Sequence, residues 1–278
     1  MFRTIIQGMF VGITETVPGV SGSTIAMVLG IYERLVNSLS MLTTKDRKKA
    51  LPFLFTFGIG MCCGFLAFIF VIRYFLDNFY LQTLFFFIGI IAGFLPYIWK
   101  DAVSTTKSGF IKKLYFIMLA SLSFVIIIVM IQFFSGMGNV DINNLSFLNY
   151  VYLIVSGFFA STALVLPGIS GALILTIMGI YEIAVDGLLG LNIPIIFAIG
   201  SGVLLGVLIT SRAVKYLLTN YISGTYSAMI GLVGGSIFAI LSNLTADFYT
   251  ELNVAIFITF ISGAALVVFL NIYKNRNA

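Results

Sequence analysis

The apolar positions of this chain fall into long blocks separated by short polar loops. Six blocks, at 52–76, 82–99, 114–134, 194–218, 225–242 and 254–272, have the length and character of helices that cross a hydrocarbon core of about 30 Å. Two more, at 5–33 and 150–182, are equally apolar but broken in the middle, by Pro18-Gly19-x-Ser21-Gly22 and by Pro167-Gly168-x-Ser170-Gly171. Such a break frees backbone N–H and C=O groups from the helix ladder, and lipid cannot satisfy them. It is tolerated at membrane depth only where protein or a polar cavity meets the freed groups.

The two breaks lie 149 residues apart, and each is followed by Gly-Ile-Tyr-Glu, at 30–33 and 179–182. Beyond them the match continues at a spacing of 142 residues, pairing Pro52 with Pro194. Gly58, Gly60, Gly64, Gly89 and Gly93 pair in the same way with Gly200, Gly202, Gly206, Gly231 and Gly235. The chain therefore reads as a duplication, 1–134 and 149–273, each half holding one broken block and three spans. The paired glycines also give GxxxG spacing, which predicts close helix packing inside the bundle.

Length and charge decide what a broken block does. The arms 5–17 and 19–31 would each reach about 20 Å as helices, short of a full crossing. Two half-helices in a re-entrant hairpin fit better. Basic residues gather at Arg3, in 34–49, in 100–113, at Arg212 and Lys215, and at Lys274 and Arg276. The loops at 77–81, 135–148, 186–193 and 243–253 have none. With re-entrant hairpins, every Lys and Arg except Arg73 falls on one face, the cytoplasmic one by the positive-inside rule, together with both termini. Crossing hairpins would send the 34–49 cluster outside.

Composition agrees with lipid as the solvent: 60% hydrophobic and 9% charged residues, with a mean hydropathy of +1.12, against roughly a quarter charged in soluble domains. The net charge of +5 suits loops that face an anionic leaflet, and nucleic acid is not needed to explain it. Cys62 and Cys63 sit side by side in an apolar run, so they read as small packing residues. No cleavable leader is expected, since the first apolar block belongs to the repeat. The predicted fold class is an all-α polytopic membrane protein of two repeats, each a re-entrant hairpin plus three transmembrane helices. Three crossings per repeat is an odd number, so the repeats are expected to be inverted, with the two tips approaching the middle from opposite faces. That is the layout of a secondary transporter with alternating access.

The tips carry the candidate chemistry. Where the chain restarts as helix, free N–H groups and the positive dipole end favour an anion, with the Ser21, Ser23 and Ser170 hydroxyls as further donors. Phosphate, carboxylate and halide would all suit. Pro18, Gly19, Gly22, Pro167, Gly168 and Gly171 complete the two candidate substrate-binding tips. Arg73 lies near the outer end of its span and matches Lys215 near the inner end of the other. These cations, with Arg212, either snorkel to headgroups or bind phosphate at the two mouths, where an Arg fork is suited to bidentate contact. Glu15 sits at depth beside the first tip, where the second repeat has Leu164. An unpaired acid there costs about 2.5–3.5 kcal/mol on insertion scales, so it is expected to carry a proton or pair with a cation. Glu33 and Glu182 read as interfacial anchors with their tyrosines.

The chain resembles the PopT polyprenyl-phosphate transporter family. The likeness rests on Gly8-Met-Phe-Val-Gly12-x-x-Glu15-x-x-Pro18-Gly19-Val-Ser21-Gly22-Ser23-x-x-Ala26, on the two Gly-Ile-Tyr-Glu segments, and on Leu166-Pro167-Gly168-Ile-Ser170-Gly171. The resemblance implies transport of undecaprenyl phosphate, the lipid carrier of cell-wall synthesis, from the outer to the cytoplasmic leaflet of a bacterial cell membrane. The residues themselves reach only as far as an anion-handling inverted-repeat transporter, and a small-anion transporter or channel remains the alternative. No histidine is present, which removes a His nucleophile and His zinc ligands. No enzymatic activity, cofactor or metal is therefore expected, and the expected partners are a polyprenyl-phosphate lipid and the bilayer.

Overall fold

The computed structural model describes residues 1–17, 20–104, 110–134, 146–242, 244 and 254–276. Among the described residues the chain is helical, with no strand. In order the helices are α1 (Phe2–Thr14), α2 (Gly22–Val28), α3 (Tyr32–Met41), α4 (Arg47–Asn78), α5 (Tyr80–Ser104) and α6 (Phe110–Phe134). They continue with α7 (Phe147–Val165), α8 (Gly171–Ile177), α9 (Tyr181–Leu189), α10 (Ile193–Asn220), α11 (Ile222–Ser242) and α12 (Val254–Arg276). Four of these, α4, α5, α7 and α10, are long and apolar enough to cross a membrane, and shorter apolar helices lie in α6, α11 and α12. Pro18 and Gly19 at the first tip, and Asn143 in the 135–148 loop, lie outside the described residues.

The breaks fall where the sequence puts them. α1 ends at Thr14 and α2 starts at Gly22; α7 ends at Val165 and α8 starts at Gly171. The returning arm, however, is not one half-helix. It breaks a second time at Gly-Ile-Tyr-Glu, a segment that opens a new helix instead of closing the hairpin. Gly30 and Gly179 both have φ +66°, the left-handed region that glycine enters without a steric penalty. At each, the glycine N–H and the next N–H fold back onto carbonyls of the preceding turn: Gly30 to Met27 and Ile31 to Ala26, Gly179 to Thr176 and Ile180 to Leu175, all at 2.9 Å. This is a Schellman stop. α3 and α9 then begin at Tyr32 and Tyr181. α7 also starts earlier than its counterpart α1, capped by the Ser146 hydroxyl, which accepts from the Asn149 N–H at 3.4 Å. At 19 residues it is longer than the 13-residue α1.

Glycines at GxxxG spacing bring helices together as that spacing predicts, while the pair Gly58 and Gly200 faces open space. A Cβ on Gly8 would lie 2.3 Å from the Phe57 carbonyl oxygen, and one on Gly64 would lie 2.2 Å from that of Met9. α1 thus seats directly on α4, and Ile5 faces Gly60 as Met9 faces Gly64, so the two helices run parallel. In the second half Ile154 faces Gly202 and Phe158 faces Gly206, and α7 runs parallel to α10. Between α1 and α4, and between α7 and α10, the chain therefore returns toward the end from which it started.

The third helix of each half crosses over. α12 packs on α5, with Gly89 against Phe260, Gly93 against Ala264 and Gly263 against Phe86. α6 packs on α11, with Gly231 against Ala120. Both pairs run parallel, and α5 also packs on α11. The halves are therefore interwoven, and the main core draws on both: Val17, Val20 and Ile25 of the first hairpin pack with Leu84, Ile91, Val165, Met229 and Val233.

Candidate functional site

The two tips meet in the buried middle of the molecule. Ser21 leaves the first break in extended form, with φ −93° and ψ 125°, and α2 begins at once with Gly22, Ser23 and Thr24. The Ser23 hydroxyl donates to the Leu166 carbonyl at 3.0 Å. The Thr24 hydroxyl accepts from the Gly168 N–H at 2.8 Å. Tyr32, at the start of α3, donates its hydroxyl to the Val165 carbonyl at 2.9 Å. Three side chains of the first hairpin thus satisfy three backbone groups that the second break sets free, the requirement such a break imposes in lipid. Ser21, Ser23, Thr24 and Ser170 are all buried.

The first helix restart is already occupied by a carboxylate. Glu15, at the last turn of α1, turns its Oε1 to accept from the Gly22 N–H at 3.1 Å. Ser21 does not cap α2; its hydroxyl lies 2.7 Å from that of Ser23. At the first restart the Gly22 N–H and the Ser21 and Ser23 hydroxyls, all expected donors for an external anion, are therefore engaged by the chain's own groups. Gly22 is required for this geometry, because a Cβ there would lie 2.2 Å from the Glu15 Oε1. In the second half Leu164 takes the place of Glu15, and Ala172 and Leu173 take those of Ser23 and Thr24. The polar side chains come from the first hairpin, while the second contributes backbone.

Gly168 holds the second tip. Its φ of +94° is in the region that L side chains avoid, and a Cβ would lie 2.3 Å from the Leu232 carbonyl carbon of α11. Pro167 beside it is buried.

The cations lie elsewhere. Arg73 is on the surface near the end of α4, with its Nε 3.8 Å from the Asp77 carboxylate and its side chain 78% exposed. Arg212 donates from Nη2 to the Thr43 carbonyl at 3.1 Å. Lys215 is half-buried near the same loop, where it helps Lys49 hold the Asp46 carboxyl below the usual carboxylate range. Lys49 does most of this, by a hydrogen bond and by charge, from 2.8 Å. The structure brings none of the three cations to the tips. Among the described residues no cluster of His, Cys, Asp and Glu could hold a metal ion.

Sequence reading missed Thr24, Tyr32 and the Glu33 carboxylate, which accepts from the Tyr226 hydroxyl of α11. For Thr24 the signal was present as asymmetry, since the second repeat has Leu173 there, whereas Tyr32 and Glu33 recur as Tyr181 and Glu182 and carry no such signal.

Comparison with known proteins gives one consistent result. A family profile described as VCA0040-like, undecaprenyl phosphate translocase-like, matches residues 11–254. The chain is 34% identical to the polyprenyl-phosphate transporter of Staphylococcus aureus over 254 residues, 87% of each chain. It is 26% identical to the polyprenyl-phosphate transporter of Vibrio cholerae over 247 residues, 84% of this chain and 75% of that one. No solved structure is a significant match.

Proposed function

The chain belongs to the undecaprenyl phosphate translocase-like family, and from that membership we propose that it returns undecaprenyl phosphate from the outer to the cytoplasmic leaflet of a bacterial membrane by alternating access. The observation that carries this reading is the buried meeting of two broken hairpins, with Ser23 and Thr24 of one bonded to Leu166 and Gly168 of the other.

Helix directions support an inverted arrangement. α4 turns into α5 through Phe79 alone, and α10 into α11 through Tyr221 alone. The five residues between α5 and α6 reach at most about 17 Å, so α6 also reverses. With α11 parallel to α6, α10 runs against α4, and so α7 runs against α1. The two hairpins then enter from opposite ends and meet at the centre. In this reading the phosphate takes the Gly22 N–H over from Glu15, while the Ser21, Ser23 and Ser170 hydroxyls turn toward it. Pro18, Gly19, Pro167, Gly168 and Gly171 allow the backbone to come close. The isoprenoid tail stays in the bilayer. Arg73 at one mouth, and Lys215 with Arg212 at the other, meet the headgroup before it reaches the tips.

Two experiments test this. In proteoliposomes, undecaprenyl phosphate placed in one leaflet becomes accessible in the other only when the protein is present. Arg73→Ala slows that exchange about tenfold and Arg73→Lys recovers part of it, because a point charge replaces the planar fork. Exchange of free phosphate or halide with no movement of lipid would instead identify a small-anion transporter. For topology, with Cys62 and Cys63 replaced, an impermeant reagent added outside cells labels a cysteine at position 143 and spares one at position 48. The opposite pattern would refute the inverted arrangement.

A further inference from the structure

The contacts that join the two halves near the 45–49 cluster of basic residues have no counterparts under the internal symmetry. At this basic end α3 packs on α10 of the other half. Tyr226 of α11 donates its hydroxyl to the Glu33 carboxylate of α3, and Arg212 of α10 donates to the Thr43 carbonyl just past α3. The repeat relates Glu33 to Glu182, Tyr226 to Leu84 and Arg212 to Phe70. Leu84 is buried at 2% exposure and offers no hydroxyl, and Phe70 is 77% exposed and offers no cation. Glu182 is exposed on α9, and no packing of α9 on α4 comparable to that of α3 on α10 occurs among the described residues.

We propose that Glu33 and Tyr226, with Arg212 on Thr43, form a clasp that shuts the pathway at the basic end, and that the empty transporter rests in this closed state. The inference rests on the alternating-access reading and adds to it a resting state and the residues that set it. A machine with equivalent halves would populate its two closed forms about equally. Among the described residues, polar contacts of this kind join the halves at the basic end and not at the symmetry-related positions, so the clasp contributes a difference in free energy between the two forms. A hydrogen bond to a charged group is strong enough to shift such a two-state balance on the order of tenfold. Substrate must make up that difference at the tips before the basic end opens. The clasp also bears directly on the site, because α3 starts at Tyr32, whose hydroxyl is bonded to the second tip at Val165.

The test uses Val214 as reporter. It is 2% exposed and shares a core with Val36 of α3, so opening of the α3–α10 seam uncovers it. In the full-length protein lacking Cys62 and Cys63, Val214→Cys is labelled with a water-soluble maleimide in detergent, with gel filtration confirming a folded species. Tyr226→Phe and Glu33→Gln should each raise the labelling rate about tenfold, and the double variant should add little to either single one. Glu182→Gln should leave it unchanged. Parent-like labelling in both Tyr226→Phe and Glu33→Gln overturns the clasp. A separate arm adds undecaprenyl phosphate to the parent. Labelling that rises with lipid but ignores both clasp substitutions keeps alternating access and rejects the clasp. Labelling that responds to the substitutions but never to lipid keeps the clasp and rejects alternating access.

Discussion

Gly168→Ala should lower transport at least tenfold and reduce thermal stability. Two independent costs add at that position. The residue has φ +94°, and holding a non-glycine side chain in such backbone costs of order 1–3 kcal/mol. The new Cβ would also sit 2.3 Å from the Leu232 carbonyl carbon and 2.4 Å from the Val233 nitrogen. Both atoms belong to the backbone of α11, which is pinned on α5 and α6 and cannot yield as a side chain would. The tip would have to withdraw, and the Gly168 N–H would lose the Thr24 hydroxyl now 2.8 Å away. Gly200→Ala is the matched control. It lies in the interior of α10, nothing is within 4 Å of its Cβ position, and there alanine should stabilise by about 0.5–1 kcal/mol. Wild-type transport and melting temperature in Gly168→Ala would show that the tip is not wedged against α11.

Much of the fold was legible because lipid imposes a coarse rule that sequence obeys visibly. Span lengths, the two Pro-Gly breaks and the repeat of glycines each follow from the cost of unsatisfied backbone or of bulk between close helices. Gly8, Gly12, Gly60 and Gly64 do pack α1 on α4. What could not be read was partner choice. Gly89 and Gly231 carry the same small-residue signal as Gly60 and Gly202, yet their helices pack on the third helix of the opposite half. A small-residue stripe states that something comes close and not which helix does. Gly-Ile-Tyr-Glu was misplaced for a related reason. Its glycine marks a stop for the preceding turn, but the three residues that follow it fit an ending and a fresh start equally well until the left-handed φ is known.

The site was legible as composition and hidden as contact. Ser21, Ser23 and Ser170 were identified as tip residues, and the structure buries all three there. Ser23 donates to a backbone carbonyl 143 residues away, and no pattern of residue types records a carbonyl left free by a break. Glu15 was recognised as an acid out of place in an apolar run. That it caps the restart seven residues later is a contact across the break, which sequence does not encode in any readable period.

That contact decides what Glu15 can do. A carboxylate on the Gly22 N–H and a phosphate on the same N–H are mutually exclusive, so the headgroup can bind only once Glu15 lets go. Protonation is one way to make it let go, since a neutral carboxyl is the weaker acceptor by roughly a factor of two. Glu15→Gln fixes the neutral form while keeping the length and an acceptor oxygen for Gly22. It should therefore fold normally and bind the lipid at least as well as wild type, while transport slows on the order of tenfold, a barrier change of about 1.4 kcal/mol, and loses its dependence on pH. Glu15→Asp, which ionises but falls one methylene short of Gly22, should retain part of both the rate and the pH dependence. The second hairpin provides the comparison, because Leu164 holds the equivalent position with no group to titrate, so Leu164→Ala should leave the shape of the pH profile intact. Transport by Glu15→Gln at the wild-type rate, with an unaltered profile between mildly acidic and alkaline pH, would mean that the carboxylate only caps a helix and that any coupled proton travels by another group.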